Sequence, residues 1–392
     1  MKKGWKIKRL ADVLELQNGY AFDSKGFNPT DGLPLIRIRS LKAGVETETR
    51  FSGDYEKKYV VKAGDLLIGM DGEFGCYEWK GEPALLNQRV CRLQGFTGEL
   101  IPRFLFYGVN DYLKAIEYVT GYTTVKHISS KQILDIEFPV PPLAEQQRIV
   151  GILDAAFEGL ATAKANAEKN LQNARALFES HLQSVFTQRG PGWVEKTIGE
   201  LCERLHQGLN TAGEKVKFYE SGYPIIQTRN IDAGVVELDS KMKFMSEEDW
   251  QLYKDKYRPE IGDVFFTNIG TIGKTAIVTT DRDYLIHWNI FKLRPLVGKI
   301  TSEFLRYTLE QLTLSGHFEK LQKGGTVDFV TKKMISEALI RLPAIAEQKT
   351  IVAKLDDLRE ETQRLARLYE RKLAALEALK KSLLHQAFTG EL

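Results

Sequence analysis

Two long stretches of the chain repeat apolar residues with the period of an α-helix. In the first stretch, apolar or small residues recur at Ile149, Leu153, Ala156, Leu160, Ala163, Ala167, Ala174, Leu177 and Val185. In the second stretch, they recur at Ile351, Leu355, Leu358, Leu365, Leu368, Leu373, Leu376, Leu379 and Leu383. Spacings of three and four predict two helices, over Leu143 to Thr187 and Ile345 to Phe388, each with a coiled-coil seam.

Each predicted helix opens with the same short sequence, so the chain contains a repeat. Pro141 to Asp154 and Pro343 to Asp356 match position by position. Upstream of each helix the pattern changes to the alternation typical of strands, as in Pro34 to Ser40 and Pro224 to Asn230. The chain is therefore predicted to be two copies of an α+β domain, each followed by a long helix.

The two predicted helices have a natural way to cover their seams. Neither helix can bury its apolar stripe within its own turns, so the economical solution is that they pack on each other. Two like units in one chain tend to be related by a pseudo-twofold axis. The predicted fold class is α+β, with two repeated domains joined by two long helices in an antiparallel coiled coil. B-DNA offers comparable groove faces about one helical turn apart, so such a rod could hold two readers on a split DNA site.

Composition and charge narrow the class of protein. The 392 residues suffice for two ordinary domains, and the apolar and charged fractions are those of a soluble globular protein. The three cysteines are not spaced as metal ligands and imply no disulfide framework. No signal peptide and no run of about 18 apolar residues is visible, so a cytoplasmic location is expected. A formal net charge of +3 requires a DNA-binding chain to gather its basic residues on one face, or a partner to supply charge.

Three motifs resemble catalytic or ligand-binding sites, but none has the required context. Asn268 to Thr275 resembles a phosphate-binding loop, yet its first position lacks glycine and a strand is predicted after it. Asp71, Glu78 and Lys80 resemble a nuclease set but occur in one repeat only. The six histidines do not cluster with cysteines or carboxylates at ligand spacing. We therefore predict no catalytic centre and no metal site.

The repeated motifs resemble those of one known family. Each helix opens with P-x-x-x-E-Q, each glycine loop follows a Gly-Asp turn and a strand, and the chain ends Ala387-Phe388-Thr389-Gly390-Glu391-Leu392. In order, spacing and duplication, the whole chain resembles the specificity (S) subunit of type I restriction-modification systems. The resemblance implies target recognition domains over residues 1–142 and 190–344, and spacer and docking helices over residues 143–189 and 345–392.

The resemblance also implies a function and a set of partners. The chain would be a non-catalytic subunit that reads a bipartite, asymmetric sequence in double-stranded DNA. It would position two modification subunits that methylate adenine N6, and restriction subunits would direct cleavage. No cofactor is expected on this chain, whereas S-adenosylmethionine, ATP and Mg are expected on the partner subunits.

Candidate DNA contacts are polar, basic and aromatic residues in predicted loops, because Arg pairs with guanine and Asn or Gln with adenine in the major groove. In the first domain they are Asn18, Tyr20, Arg37, Arg39, Ser40, Lys126 and His127. In the second domain they are Gln207, Asn210, Gln227, Arg229, Asn230, Lys274, Trp288 and Asn289. Arg39 and Arg229 form the strongest pair, since both are predicted to end the matching strand before a loop.

Two alternatives remain open from the residues alone. Glu145, Gln146, Glu347 and Gln348 either stabilise the start of each helix, where acidic side chains favour the dipole, or contact a partner subunit. The whole chain could also be a structural coiled-coil scaffold that bridges proteins without sequence-specific DNA binding. DNA footprinting with and without partner subunits would separate the scaffold from the DNA reader.

Overall fold

The computed structural model describes residues 4–42, 47–120, 126–188, 190, 192–232, 234–238, 242–321 and 329–392. The chain forms two compact units. Unit 1 comprises residues 1–166 and 372–392, and unit 2 comprises residues 167–371. Each unit therefore contains one globular domain, the start of one long helix and the end of the other.

Unit 1 is a mixed domain built on two main sheets. Its strands are β1 (Lys6–Arg9), β2 (Glu15–Asn18), β3 (Phe27–Asn28), β4 (Leu33–Ile36), β5 (Arg50–Phe51), β6 (Val60–Val61), β7 (Leu66–Gly69), β8 (Gly75–Glu78), β9 (Ala84–Leu86), β10 (Val90–Gln94) and β11 (Glu137–Val140). Its helices are α1 (Ile38–Leu41), α2 (Pro102–Thr120), α3 (Ser130–Leu134) and the first part of α4 (Leu143–Thr187). The sheets have the orders β2-β10-β7-β8 and β3-β5-β4-β9-β6, and β1 pairs with β11.

Unit 2 repeats the four-stranded sheet of unit 1, but among the described residues it has a three-stranded and a two-stranded sheet where unit 1 has a five-stranded one. Its strands are β12 (Val194–Thr197), β13 (Cys202–Gln207), β14 (Tyr223–Ile226), β15 (Ile231–Asp232), β16 (Val235–Val236), β17 (Lys243–Met245), β18 (Val264–Thr267), β19 (Thr275–Ile277), β20 (Leu285–Ile286), β21 (Ile290–Pro295) and β22 (Leu339–Leu342). Its helices are α5 (Ile198–Leu201), α6 (Glu247–Tyr257), α7 (Ser302–Leu314), α8 (His317–Lys320), α9 (Lys332–Ser336) and the first part of α10 (Ile345–Thr389). The order β13-β21-β18-β19 matches the four-stranded sheet of unit 1, and β12 pairs with β22.

The Gly-Asp turns show why the sequence folds this way locally. Gly64 and Gly262 have φ angles of +93° and +90°, a left-handed conformation that favours glycine. The next residue in each turn, Asp65 or Asp263, accepts a hydrogen bond from the backbone N–H three residues earlier, at 2.9 and 2.8 Å. Each turn then leads into a fully buried strand, β7 or β18.

Each unit packs a partly buried aromatic residue from the end of one long helix against its core. In unit 1, the ring of Phe388 lies 5.0 Å from that of Phe104, and Gly108 leaves room for it. In unit 2, the ring of Phe186 lies 5.2 Å from that of Phe304. Because the start of one long helix and the end of the other pack in each unit, α4 and α10 run antiparallel within each unit. The predicted fold class, two repeated α+β domains with two long antiparallel helices, is confirmed.

Two details differ from the sequence-based expectation. Strand β4 ends at Ile36, so Arg39 lies in the helical turn α1 rather than at the end of a strand. Likewise β14 ends at Ile226, and Arg229 lies in a 3-10 turn over Thr228–Asn230. Polar side chains that bond back to the chain bend it at these points, a local signal that strand alternation hides. Among the described residues, no helix has the length and apolar character needed to cross a membrane.

Candidate nucleic-acid interface

Four loop segments of unit 1 meet at one edge of the four-stranded sheet. The backbone N–H of Gly19 donates to the carbonyl of Val90 at 3.0 Å. The N–H of Met70 donates to Arg89 at 3.0 Å, and the N–H of Ile128 donates to Met70 at 2.9 Å. These bonds bring together the segments around residues 18–20, 70–72, 87–90 and 126–128, which are far apart in sequence.

Unit 2 builds the same framework from its own residues. Gly208 donates to Ile290 at 2.9 Å, Asn268 donates to Asn289 at 3.1 Å, and Val330 donates to Asn268 at 2.8 Å. The framework requires glycine at its first position, because a Cβ on Gly19 would lie 2.0 Å from the carbonyl oxygen of Asn87. A Cβ on Gly208 would lie 2.4 Å from the carbonyl oxygen of His287. We call these two frameworks the loop clusters.

The loop cluster of unit 1 gathers several of the predicted DNA-contact residues. Asn18 Oδ1 accepts a hydrogen bond from Ser130 Oγ at 2.7 Å. His127 Nδ1 lies 2.6 Å from Asp71 Oδ1, and Arg89 Nη1 lies 2.8 Å from Asp71 Oδ2. Arg89 was not among the predicted contacts. The sequence did carry a signal for it, since Arg89 stands where the repeat places Asn289.

Tyr20 and Lys126 lie near this loop cluster but differ in their surroundings. Tyr20 is half exposed, and its ring centroid lies 5.2 Å from those of Phe22, in an edge-to-face arrangement, and Tyr59, in a tilted one. Such an exposed ring could pack against a base or sugar. The ammonium group of Lys126 instead lies 3.1 Å from the carboxylate of Glu117 on α2.

The loop cluster of unit 2 contains different side chains. Gln207 Nε2 donates to the carbonyl of Trp288 at 2.5 Å, and the indole of Trp288 stays partly exposed. His287 Nδ1 lies 2.9 Å from Asn289 Oδ1, while burial lowers the pKa of His287 despite this hydrogen bond. His287 is therefore neutral near pH 7. Asn210 lies further along the loop, where its Oδ1 accepts from the N–H of Gly213 at 3.0 Å.

The helical turn after β4 or β14 divides its candidate residues into buried and exposed ones. Ser40 and Asn230 are buried, and each accepts a hydrogen bond from the backbone N–H of Arg37 or Gln227, at 3.1 and 3.0 Å. These two polar side chains therefore shape the turn. Arg39 and Arg229, one in each turn, point their side chains towards solvent.

Lys274 has intramolecular partners on a neighbouring strand. Its Nζ donates to the carbonyl of Ile231 at 3.0 Å and lies 3.5 Å from the carboxylate of Asp232. Residues 268–274 form a loop between β18 and β19, and Thr275 begins the strand that the sequence predicted after it, so no helix follows. About a third of the Lys274 side chain is exposed, and only this part remains a candidate for a phosphate contact.

The glutamines of the two E-Q motifs hold each domain to its long helix. Gln146 is fully buried, its Oε1 accepts from the N–H of Ile101 at 2.8 Å, and its Nε2 donates to the carbonyls of Glu99 and Pro141 at 2.8 Å. In unit 2, Gln348 makes the same three bonds. They join it to Thr301 at 3.0 Å and to Lys299 and Pro343 at 2.9 Å.

This use of Gln146 and Gln348 differs from both sequence-based alternatives for them. Their amides neither cap their own helix nor face outward, so they are not available to a partner subunit. The adjacent Glu145 lies 2.7 Å from Arg148, and Glu347 accepts from Trp193 Nε1 at 2.9 Å. These two carboxylates lie closer to the surface than the glutamines.

A second contact ties each long helix to its domain about two helical turns further on. In unit 1, the hydroxyl of Tyr107 donates to Asp154, which also accepts from Arg103 Nε at 3.0 Å. Burial and the bond to Asp154 raise the pKa of Tyr107 to about 12. In unit 2, Tyr307 donates to Asp356 in the same way. The repeated Leu-Asp pair at the end of each motif therefore has a structural role.

The described residues contain no group of three or more His, Cys, Asp and Glu side chains that could hold a metal ion. Burial raises the pKa of Cys91 and of Cys202 to about 12 in each case, so both thiols stay protonated and unreactive at neutral pH. What the two loop clusters can do chemically is donate and accept hydrogen bonds and offer apolar surface.

The fold and the loop clusters define a duplicated recognition protein, with two α+β domains that share one framework and present different side chains. The chain belongs to the family described as the type I restriction modification DNA specificity domain, whose profile matches residues 2–171 and 191–371. It is thus a specificity subunit, a DNA sequence-recognition component that carries no catalytic activity. This confirms the resemblance seen in the sequence.

The sequence is similar to those of specificity subunits over almost its full length. It is 30% identical to the type I restriction enzyme EcoBI specificity subunit of Escherichia coli, over 99% of this chain and 86% of that one. It is 21% identical to the MjaVIII specificity subunit of Methanocaldococcus jannaschii, over 99% and 93% of the two chains.

Solved structures share the fold. One, from work on the assembly and conformational transition of the type I R-M system, aligns with a TM-score of 0.78 at 21% identity, over 100% of this chain and 99% of that one. The HsdS subunit of Thermoanaerobacter tengcongensis aligns with a TM-score of 0.60 at 20% identity, over 100% and 98% of the two chains.

Proposed function

We propose that this chain reads a bipartite, asymmetric DNA site, with one half-site for each domain and an unread spacer between them. The observation that supports this most is the pair of loop clusters. Their backbone hydrogen bonds are equivalent, yet the side chains on them differ at almost every candidate position. A shared support with different side chains is what two readers of different sequences need, since sequence is read by side chains on base edges.

The proposed reader domains are residues 1–142 and 190–344, and residues 143–189 and 345–392 form the spacer between them. The exposed candidates for base or phosphate contact include Tyr20, Arg39, Arg229 and Trp288. Arg39 and Arg229 stand at equivalent places on the helical turns, so each would contact its own half-site in the same way. Arg is the residue most suited to bidentate contact with guanine or phosphate.

The proposed partners are two modification subunits, one for each domain, and restriction subunits that direct cleavage. The modification subunits would methylate adenine N6 with S-adenosylmethionine, and the restriction subunits would use ATP and Mg, all in the cytoplasm. Partner docking would involve the helix roots, where Glu145 and Glu347 stand beside the buried glutamines. The formal net charge of +3 agrees with partners that supply part of the positive surface around DNA.

Methylation mapping tests this function directly. The chain would be co-produced with its cognate modification subunit, and host DNA would be sequenced for N6-methyladenine. We expect one split motif with a methylated adenine in each half. Exchanging residues 1–142 for those of a relative with another motif should change one half-site and leave the other intact. A folded complex that methylates no motif would favour the protein-bridging scaffold instead.

The length of the spacer should follow the length of the helices. Inserting one heptad into α4 after Asn166 and one into α10 after Arg371 lengthens each helix by about 10 Å. That length equals about three base pairs of B-DNA, at 3.4 Å each. We expect the methylated motif of this variant to keep both half-sites and gain about three base pairs of spacer. An unchanged spacer in an active complex would contradict the proposal that the helices set the distance.

A further inference from the structure

We infer that the two domains read opposite kinds of base pair at one equivalent place, G·C through Arg89 and A·T through Asn289 and Phe329. This inference rests on the proposed function and deepens it, because it assigns base chemistry to each half-site. It concerns three positions of the loop clusters that correspond one to one. They are Asp71, Arg89 and His127 in unit 1, and Ile269, Asn289 and Phe329 in unit 2.

The correspondence is fixed by backbone geometry rather than by sequence alignment alone. Asp71 pairs with His127 in an isolated antiparallel bridge, and Ile269 pairs with Phe329 in the same way. The carbonyl of Arg89 accepts from the residue before Asp71, and the carbonyl of Asn289 accepts from the residue before Ile269. The three positions therefore lie in the same arrangement in both units, and only their side chains differ.

In unit 1, all three side chains are polar and joined. Asp71 is mostly buried and holds His127 at 2.6 Å and Arg89 at 2.8 Å. One carboxylate thus orients both partners, while the side chain of Arg89 remains 56% exposed. Asp71 also cancels the charge of Arg89, which makes the group a poor phosphate ligand, because phosphate contacts gain from uncompensated positive charge. A guanidinium with fixed orientation and free N–H donors suits the O6 and N7 acceptors of guanine.

In unit 2, the same positions are largely apolar. Phe329 is half exposed and pairs with the half-buried Ile269. Asn289 uses Oδ1 for the contact with His287 at 2.9 Å, and a carbonyl oxygen has a second acceptor site. An Asn side chain can pair with N6 and N7 of adenine, and an aromatic ring on a neighbouring segment of the same loop cluster can contact the methyl group of thymine. Neither group suits guanine as Arg89 does.

The test compares base preference at every position of the motif that the wild-type complex methylates. Synthetic duplexes would carry that motif and each single base-pair change, and methylation rates would be measured with the complete complex. In R89A, we expect one G·C pair in the half-site of residues 1–142 to lose about 5- to 150-fold of its discrimination, the worth of one bidentate contact. The other half-site should keep its preference. R89K should relax the same position, because lysine keeps the charge but not the paired donors.

The matched control is Arg9, an arginine of the same unit with a single carboxylate partner. Its side chain is 54% exposed and lies 2.7 Å from Asp135, so R9A removes a similar ion pair. R9A should leave every base preference unchanged. In unit 2, N289A and F329A should each relax one A·T pair of the other half-site, while L339A, at an exposed apolar residue of β22, should relax none.

Several results would overturn the inference while leaving the proposed function intact. One is a wild-type motif whose first half-site contains no guanine. Another is an R89A complex that methylates all duplexes more slowly by one common factor, which would make Arg89 a phosphate contact. A third is relaxation of the same position by R9A. Absence of any motif with the wild-type complex would instead contradict the proposed function itself.

Discussion

Replacing Asp263 with alanine is expected to lower the free energy of unfolding of unit 2 by about 3–5 kcal/mol, the cost of leaving buried charges without their partner. Asp263 is 1% exposed and accepts from Arg294 Nε at 2.8 Å and Nη2 at 3.0 Å. It also lies 3.9 Å from the ammonium of Lys292, which is 2% exposed. Chemical denaturation of wild type and variant measures the effect.

The pH dependence of D263A gives a second readout. Burial already lowers the pKa of Lys292 in the folded protein, although Asp263 opposes this. Without Asp263 that pKa should fall further, while the unfolded chain keeps the ordinary lysine value of about 10.4. At pH values between the folded and the unfolded pKa of Lys292, the unfolded state binds more protons than the folded state, so the free energy of unfolding rises with pH. The difference in free energy of unfolding between wild type and D263A should therefore become smaller as the pH is raised towards 10.

Two controls separate burial from the mere loss of a carboxylate. Asp281 pairs with Arg258 at 2.5 Å but is 66% exposed, so D281A should cost little, as exposed ion pairs do. In unit 1, the equivalent Asp65 is 30% exposed and pairs with Arg92 at 3.0 Å. The loss of stability in D65A should therefore lie between the losses in D263A and D281A. Equal losses for D263A and D281A would contradict the reasoning from burial.

Removing the buried glutamine at a helix root should also destabilise its unit. In Q146A, the N–H of Ile101 and the carbonyls of Glu99 and Pro141 lose their partner, and each buried group left unsatisfied costs about 1–3 kcal/mol. Partial access of water to this root limits the expected loss to about 2–4 kcal/mol. Thermal unfolding of the complete chain, followed by circular dichroism, would detect it.

The neighbouring Gln147 provides a matched control, because it has the same side chain but faces solvent. Q147A should change stability by no more than about 0.5 kcal/mol. In unit 2, Q348A should match Q146A, and the exposed Gln363 offers the corresponding control. If Q146A and Q147A were equally stable, Gln146 would not hold the domain to its helix.

The amino-acid sequence alone determined the architecture of this protein. The long helices follow from apolar spacing and the absence of breaking residues, and α4 spans Leu143–Thr187 as predicted. The duplication is visible in the motifs that open both helices, and the Gly-Asp turns predict that buried strands follow them. All of these are local signals, because helix period, turn chemistry and strand alternation depend on residues near one another in sequence.

Only the tertiary structure decided what the individual polar residues do. Ser40 and Asn230 look like surface residues in the sequence, yet they are buried where they shape a turn. Gln146 sits beside the accessible Gln147, and only packing against the domain distinguishes the two. Polar residues in a loop pattern carry no mark of burial, because burial depends on segments that arrive from elsewhere in the chain.

The group formed by Asp71, Arg89 and His127 shows the same limit most clearly. These residues lie in three separate segments, and backbone bonds across the sheet edge bring them together. The sequence indicated His127 as a candidate DNA contact and gave Asp71 no role. Nothing in the sequence indicated that one carboxylate joins two basic side chains. Local pattern determines which elements form, whereas the contacts between distant segments determine which side chains meet.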